Sequence, residues 1–175
     1  MKRLFTLAAL ALSALLVMAS AASAAVVTDI DATQAPSGTH VQTGTIGCTV
    51  SGGTVTCTTF ELAGVGHTNA ELNLEATYTA TINCTNKGGE LVEVHSDDVT
   101  VSAGPITLRS DKNGRLAVPA ATAPAPTTAE VLAQADCPNR NWTPSVQPGS
   151  ITLSSFTYTL TFAGFDEPYI TITGP

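Results

Sequence analysis

From Glu71 to Cys84 the chain alternates without interruption. Leu72, Leu74, Ala76, Tyr78, Ala80, Ile82 and Cys84 are interleaved with Glu71, Asn73, Glu75, Thr77, Thr79, Thr81 and Asn83. Successive side chains of a strand point to opposite faces, whereas a helix returns to one face every ~3.6 residues. Strict period two over such a length specifies a long strand, or two joined by a bend, with one face buried. Cys84 falls on the inner face, so a disulfide made there ties into the core.

The chain has four cysteines: Cys48, Cys57, Cys84 and Cys137. An even count in an exported chain reads as a disulfide framework, and the count alone leaves the connectivity open. Local register narrows it. Gly52-Gly53 is a two-residue hairpin signal between segments 46–51 and 54–59. That turn sets Ser51 opposite Thr54, Val50 opposite Val55, and Cys48 opposite Cys57. The cysteines form a non-hydrogen-bonded pair with Cα atoms ~4.5 Å apart, within disulfide reach. The register also puts Ile46, Cys48, Val50, Val55 and Cys57 on one face. Cys84 and Cys137 then pair by elimination. In a chain-entropy treatment their long loop is worth about 4 kcal/mol, against about 3 kcal/mol for the hairpin bridge. The competing reading is zinc, but no Cys-x-x-Cys pair is present.

Export is the premise of those bonds. Lys2 and Arg3 precede an apolar run at 4–18, broken only by Thr6 and Ser13, and small residues end at Ala22-Ser23-Ala24. This is the pattern of a secretory signal peptide, with cleavage expected after Ala24 rather than Ala21. The apolar run is shorter than the ~20 residues that span a bilayer. No Cys follows it for lipid attachment, and residues 171–175 lack a hydrophobic anchoring tail. Residues 1–24 are thus read as the signal and 25–175 as one domain, with a secreted or extracellular location. Without Lys2 and Arg3, five basic residues face 14 acidic ones, a net charge of −9. No basic stripe remains for nucleic acid or an anionic membrane surface.

Charged residues make up only 12 % of the chain, against ~25 % in a typical globular protein. Threonine compensates, with 28 copies, and suits the solvated face of a strand. Pro36-Ser37-Gly38 marks a turn within the weakly patterned segment 25–45, where an edge strand fits. Asn86-Lys87-Gly88-Gly89 marks another. Segments 91–94 and 99–101 read as short strands around Ser96-Asp97-Asp98. Segments 106–109 and 115–118 read as a hairpin across Asp111-Lys112-Asn113-Gly114. Residues 119–128 are Pro, Ala and Thr only, which predicts an extended, poorly packed loop. Thr127 and Glu130 form a capping box, so one short helix is expected at 128–134. Pro138, Pro144 and Pro148 forbid a central strand after Cys137. The apolar phase changes between Ile151, Leu153 and Phe156, Tyr158, Leu160, Phe162, which predicts a β-bulge or a change of sheet near Ser154-Ser155. The expected fold is all-β: a single immunoglobulin-like β-sandwich of about eight or nine strands, at most one short helix, and two disulfides.

Cys137-Pro138-Asn139, Trp142-Thr143-Pro144 and the terminal segment 151–172, with Phe156-Thr157 and Leu160-Thr161, resemble uncharacterised small secreted β-sandwich proteins of high-GC Gram-positive (actinobacterial) type. The Ala-rich signal is similar. This resemblance implies a secreted β-sandwich and carries no activity or site. The hairpin disulfide is also similar to that of the immunoglobulin-like apoproteins that carry enediyne antibiotics. That likeness is confined to one short bridge and composition, and implies no ligand.

Candidate chemistry is sparse. No Gly-x-Ser-x-Gly, Ser-x-x-Lys, His-Glu-x-x-His or phosphate-binding glycine loop occurs. His40, His67 and His95 are isolated. His95 with Asp97 and Asp98 could form a small metal or acid–base cluster, but a polar turn between strands accounts for them more simply. Asp29 and Asp31 offer oxygen ligands, too few for a calcium loop. Asp166-Glu167 belongs to the last turn, and no carboxylate pair suggests a glycosidase. Trp142 is read as a core plug beside Cys84 and Cys137, with exposed ligand stacking as the alternative. Asn83-Cys84-Thr85 and Asn141-Trp142-Thr143 match the N-glycosylation pattern, which matters only in a eukaryotic host. No catalytic, cofactor or metal residue is assigned. The expected function is a non-enzymatic extracellular binding or surface-interaction module, with contacts at the sandwich-end loops and the 119–128 segment. The alternatives are a secreted hydrolase or protease inhibitor without a recognisable motif, and a structural envelope component.

Overall fold

The structure is a computed structural model, described for residues 26–175; the signal-peptide reading of 1–24 lies outside the described residues. The alternating segment forms the backbone of the molecule as a single strand, β6 (Ala70–Thr85), whose even-numbered residues are all buried. It turns at Asn86, whose Oδ1 accepts from Gly88 N–H and Glu90 N–H. The chain returns as β7 (Leu91–Leu108), antiparallel to β6 along its whole length. The other edge of β6 takes two strands end to end: β11 (Thr152–Phe162) against residues 70–79 and β10 (Thr143–Val146) against residues 82–85. β12 (Ile170–Gly174) pairs with β11, and β1 (Val27–Ile30) closes that side. Two three-stranded sheets complete the fold. One orders β2 (His40–Gly44), β5 (Phe60–Ala63) and β8 (Arg115–Val118). The other orders β3 (Cys48–Ser51), β4 (Thr54–Cys57) and β9 (Ala121–Ala123).

The result is all-β and sandwich-like. Inner side chains of the large sheet, among them Leu72, Leu74, Tyr158, Leu160 and Ile172, share one core with Val55, Leu62, Leu116 and Val118 of the smaller sheets. A second cluster of Ala80, Ile82, Cys84 and Val99 is covered by Val131 of α1 (Thr128–Gln134) and by Cys137. The opposite face of the large sheet carries hydroxyls: Thr77 pairs with Thr100, Thr157 with Thr173, and Thr159 with Thr171. Threonine thus occupies the solvated face that its abundance predicts.

Both disulfides form as expected. Cys48–Cys57 joins opposite residues with a Cα separation of 4.0 Å, and Cys84–Cys137 spans 53 residues. The register shift falls between Leu153 and Ser155. Pro144 sits on β10, a terminal strand of the sheet order, where its missing N–H costs no ladder bond. The capping box holds α1: Glu130 N–H donates to the Thr127 hydroxyl, and Thr127 N–H to the Glu130 carboxylate.

Five expectations change. Residues 91–108 form one strand rather than two or three, because β6 is long enough to pair with all of them. Ser96, Asp97 and Asp98 are therefore strand residues, opposite Thr81, Ala80 and Thr79, and not a turn. Asp111 to Gly114 turn as expected, but β8 pairs with β5 instead of β7, so the turn carries the chain from one sheet to another. The 119–128 segment is packed: β9 lies within it, pairs with β4, and buries Ala121 and Ala123. Alanines at alternate positions suit a close approach between layers, which composition read as looseness. The strand total is twelve among the described residues, above the expected eight or nine. Strands such as β1, β5, β9 and β10 have only three or four residues, too few to display a period.

Two core tyrosines differ in an instructive way. The Tyr78 hydroxyl donates toward Gly53 O at 2.8 Å and lies 3.2 Å from Ala123 O, linking the large sheet to the β3–β4 turn and β9. The Tyr158 hydroxyl is buried with no partner among the described residues, and burial pushes its ionisation far above the usual tyrosine range. We predict that Tyr78→Phe costs about 1–2 kcal/mol, whereas Tyr158→Phe is neutral or stabilising, since it removes an unpaired buried hydroxyl. Urea midpoints of the two variants test this, and equal losses would refute it.

Candidate functional site

The row of outward-facing residues at the start of β6 is Thr161, Glu71 and Thr107, one from each of β11, β6 and β7. In-register antiparallel partners share a face, so a carboxylate lies between two hydroxyls. The chain then turns through Ala163, Gly164 and Phe165, and this turn rises at the end of the row. Ala163 N–H bonds Asn69 O at 2.9 Å, and Phe165 N–H bonds Phe162 O at 3.1 Å. Asn69 also lines the hollow, its Oδ1 accepting from Ser110 N–H at 3.2 Å. Together these residues line an open pocket of about 450 Å³ at one end of the sandwich, within the size range of small-ligand sites. Phe165 is half-buried and meets Phe162 edge-on at 6.4 Å. The lining contains one carboxylate and no basic side chain. A second hollow of about 420 Å³, lined by Thr128, Val146, Gln147, Pro148, Gly149 and Ile151, carries no charge.

Sequence reasoning did not single out Asn69, Glu71, Thr107, Thr161 or Phe165. Glu71 is visible as the first polar residue of the alternating strand, but its neighbours come from segments 36 and 90 positions further on. Only the pairing register brings them together.

The expected His95 cluster is divided by the strand. Asp97 stays on the His95 side, 3.3 Å from Nε2, and Glu93 approaches Nδ1 at 3.8 Å. Asp98 points to the other face and accepts from the Thr79 hydroxyl at 3.0 Å. Carboxylates on opposite sides of one ring do not converge on a common point. Among the described residues no group of three His, Cys, Asp or Glu could hold a metal ion. Glu93 and Asp97 are charged groups facing inward on an outer strand, beside His95, a device that discourages edge-to-edge pairing with other chains. On the other side of this hairpin tip Leu91, Val92 and Val94 are exposed.

The remaining candidates are separated. Asp29 is on β1, while Asp31 caps a short 3₁₀ turn at Ala32–Gln34, its carboxylate accepting from Thr33 N–H at 2.9 Å. The Thr33 hydrogen bonds hold the Asp31 carboxyl below the usual range. His40 Nδ1 contacts Gly38 O at 2.8 Å, and His67 is exposed and apart. Asp166 and Glu167 are exposed in the last turn, where Glu167 N–H reaches Gln34 Oε1. Trp142 is half-buried against the second cluster, which contains Cys84 and Cys137.

Fold and site together define an all-β, doubly disulfide-linked, sandwich-like protein with an open pocket of mixed polar and apolar lining. No protein family, curated protein or solved structure matches this chain. No helix among the described residues is long and apolar enough to cross a membrane.

Proposed function

We propose that this protein is a secreted, non-enzymatic binding module of the cell exterior, with an immunoglobulin-like sandwich as its scaffold. The observation that carries the reading is the end pocket. Neutral and acidic groups from three strands and one turn converge there on a hollow large enough for a small ligand. Two disulfides support an oxidising compartment. Lys2 and Arg3, the apolar run and Ala22-Ser23-Ala24 support export. Strong net negative charge argues against nucleic acid as the partner. The exposed Leu91, Val92 and Val94 offer a further contact patch. The 119–128 segment is anchored through β9 yet keeps Pro119, Ala120, Thr122 and Pro124 exposed, so it stays among the contact surfaces of this proposal. The resemblance to actinobacterial exported proteins belongs to the same proposal.

The test is expression of the full chain in a high-GC Gram-positive host. The expected result is a medium or envelope protein beginning at Ala25. Mature protein immobilised on resin should then retain a component of the native envelope under gentle washing. Recovery of intact precursor in the cytoplasm, or a resin that retains nothing, would count against the proposal.

A further inference from the structure

We infer that the end pocket binds a single neutral sugar ring, such as a terminal hexose of an envelope glycan. This rests on the binding reading above and names its ligand class. The argument starts from charge. Glu71 is the one ionisable group in the lining and no cation accompanies it, so phosphate, sulfate and carboxylate ligands would meet uncompensated repulsion. Thr161 and Thr107 flank Glu71 in register on adjacent strands. Their spacing follows the strand separation of about 4.8 Å, so the three oxygen-bearing groups span about 10 Å, a row along which a pyranose can lie and hydrogen-bond through its outer hydroxyls.

The chemistry of the row suits sugar hydroxyls. A sugar hydroxyl both donates and accepts, as does a threonine hydroxyl, while the Glu71 carboxylate only accepts. Asn69 spends its Oδ1 on Ser110 N–H, which leaves its Nδ2 hydrogens to donate to a ring or hydroxyl oxygen. Phe165, half-buried at the pocket wall, supplies apolar surface for the C–H face of the ring. Glu71 has no hydrogen bond or ion pair among the described residues, so no protein partner competes for its oxygens. A bare ammonium would donate to the carboxylate and the threonine oxygens but leave the hydroxyl protons and the Asn69 Nδ2 hydrogens without an acceptor. The neutral polyol uses all four.

The experiment titrates isotope-labelled mature protein with glucose, galactose, mannose and ethanolamine, each to about 50 mM, the millimolar range natural to one ring in an open site. Expected are amide shifts confined to residues 69–71, 107 and 161–165 with at least one hexose. Glu71→Gln and Thr161→Val should each weaken that response about tenfold. Glu75→Gln, two steps further along the same face of β6, should leave it unchanged. All three positions lie outside the sealed core, and an unaltered spectrum elsewhere verifies folding. No response to any hexose, shifts that map to another surface, or a response to ethanolamine alone would overturn the assignment. Envelope retention that persists without a hexose response removes the sugar and leaves the binding reading intact. Loss of both removes both.

Discussion

Replacing Cys84 and Cys137 together by alanine is expected to lower the unfolding free energy by about 4 kcal/mol, the entropy of closing a long loop in the unfolded chain. The loop spans 53 residues. Domain stabilities run at about 5–15 kcal/mol, so this bond alone separates a stable domain from a marginal one. Its position adds a local consequence. Cys137 follows α1, and among the described residues the buried cluster that holds α1 is small: Ala80, Ile82, Cys84, Val99, Val131 and Cys137, with Ala135, Trp142, Val146 and Ile151 partly buried against it. Without the bond, α1 and β10 should exchange amide hydrogens well before β6 and β11 do. The Cys48–Cys57 bond closes only nine residues, and its removal should cost less. Urea melts of both double variants test the order. A smaller loss for Cys84/Cys137 than for Cys48/Cys57 would refute it.

Gly64→Ala is expected to destabilise by about 3 kcal/mol or more, combining a left-handed backbone with an overpacked contact. Gly64 has φ +77°, and a Cβ built there would lie 2.1 Å from Gly38 O. That oxygen is backbone, in the turn that leads into β2, so it cannot swing aside as a side chain would. Gly66 is the control. It has φ +59° and nothing within 4 Å of a Cβ, so Gly66→Ala should cost only the backbone preference, about 1–2 kcal/mol. Thermal midpoints compared between the two variants decide the point, and equal shifts would show that the Gly38 contact can relax.

Much of this architecture is legible in particular residues. The period-two run from Leu72 to Cys84 predicts β6, because a half-buried strand has no other way to distribute its side chains. Gly52-Gly53 predicts the Cys48–Cys57 register, because a two-residue turn leaves no freedom in the pairing that follows. Thr127 with Glu130 predicts α1 and its first residue. What failed was also local in origin. Ser96-Asp97-Asp98 has turn composition, yet it lies in β7 because β6 offers partners for it. Ala121 and Ala123 look featureless in a Pro/Ala/Thr stretch, yet their small side chains let β9 pack against the core. In both cases a distant segment overrode the local preference.

The pocket marks the same boundary from the functional side. Alternation places Glu71 on the wet face of its strand, and composition makes its neighbours threonines. Nothing local says that Thr107 and Thr161 are those neighbours, or that the turn at Ala163 to Phe165 walls the row. By itself the sequence determined the faces of β6, the Gly52-Gly53 hairpin register, the helix cap and the cysteine pairs, since each rests on residues a few positions apart or on a count with one remaining solution. Tertiary structure decided which strand lies beside which, which glycine admits no side chain, and where polar groups converge. Those depend on contacts between segments tens of residues apart, whose pairing is chosen by burial of the whole core rather than by any short stretch of chain.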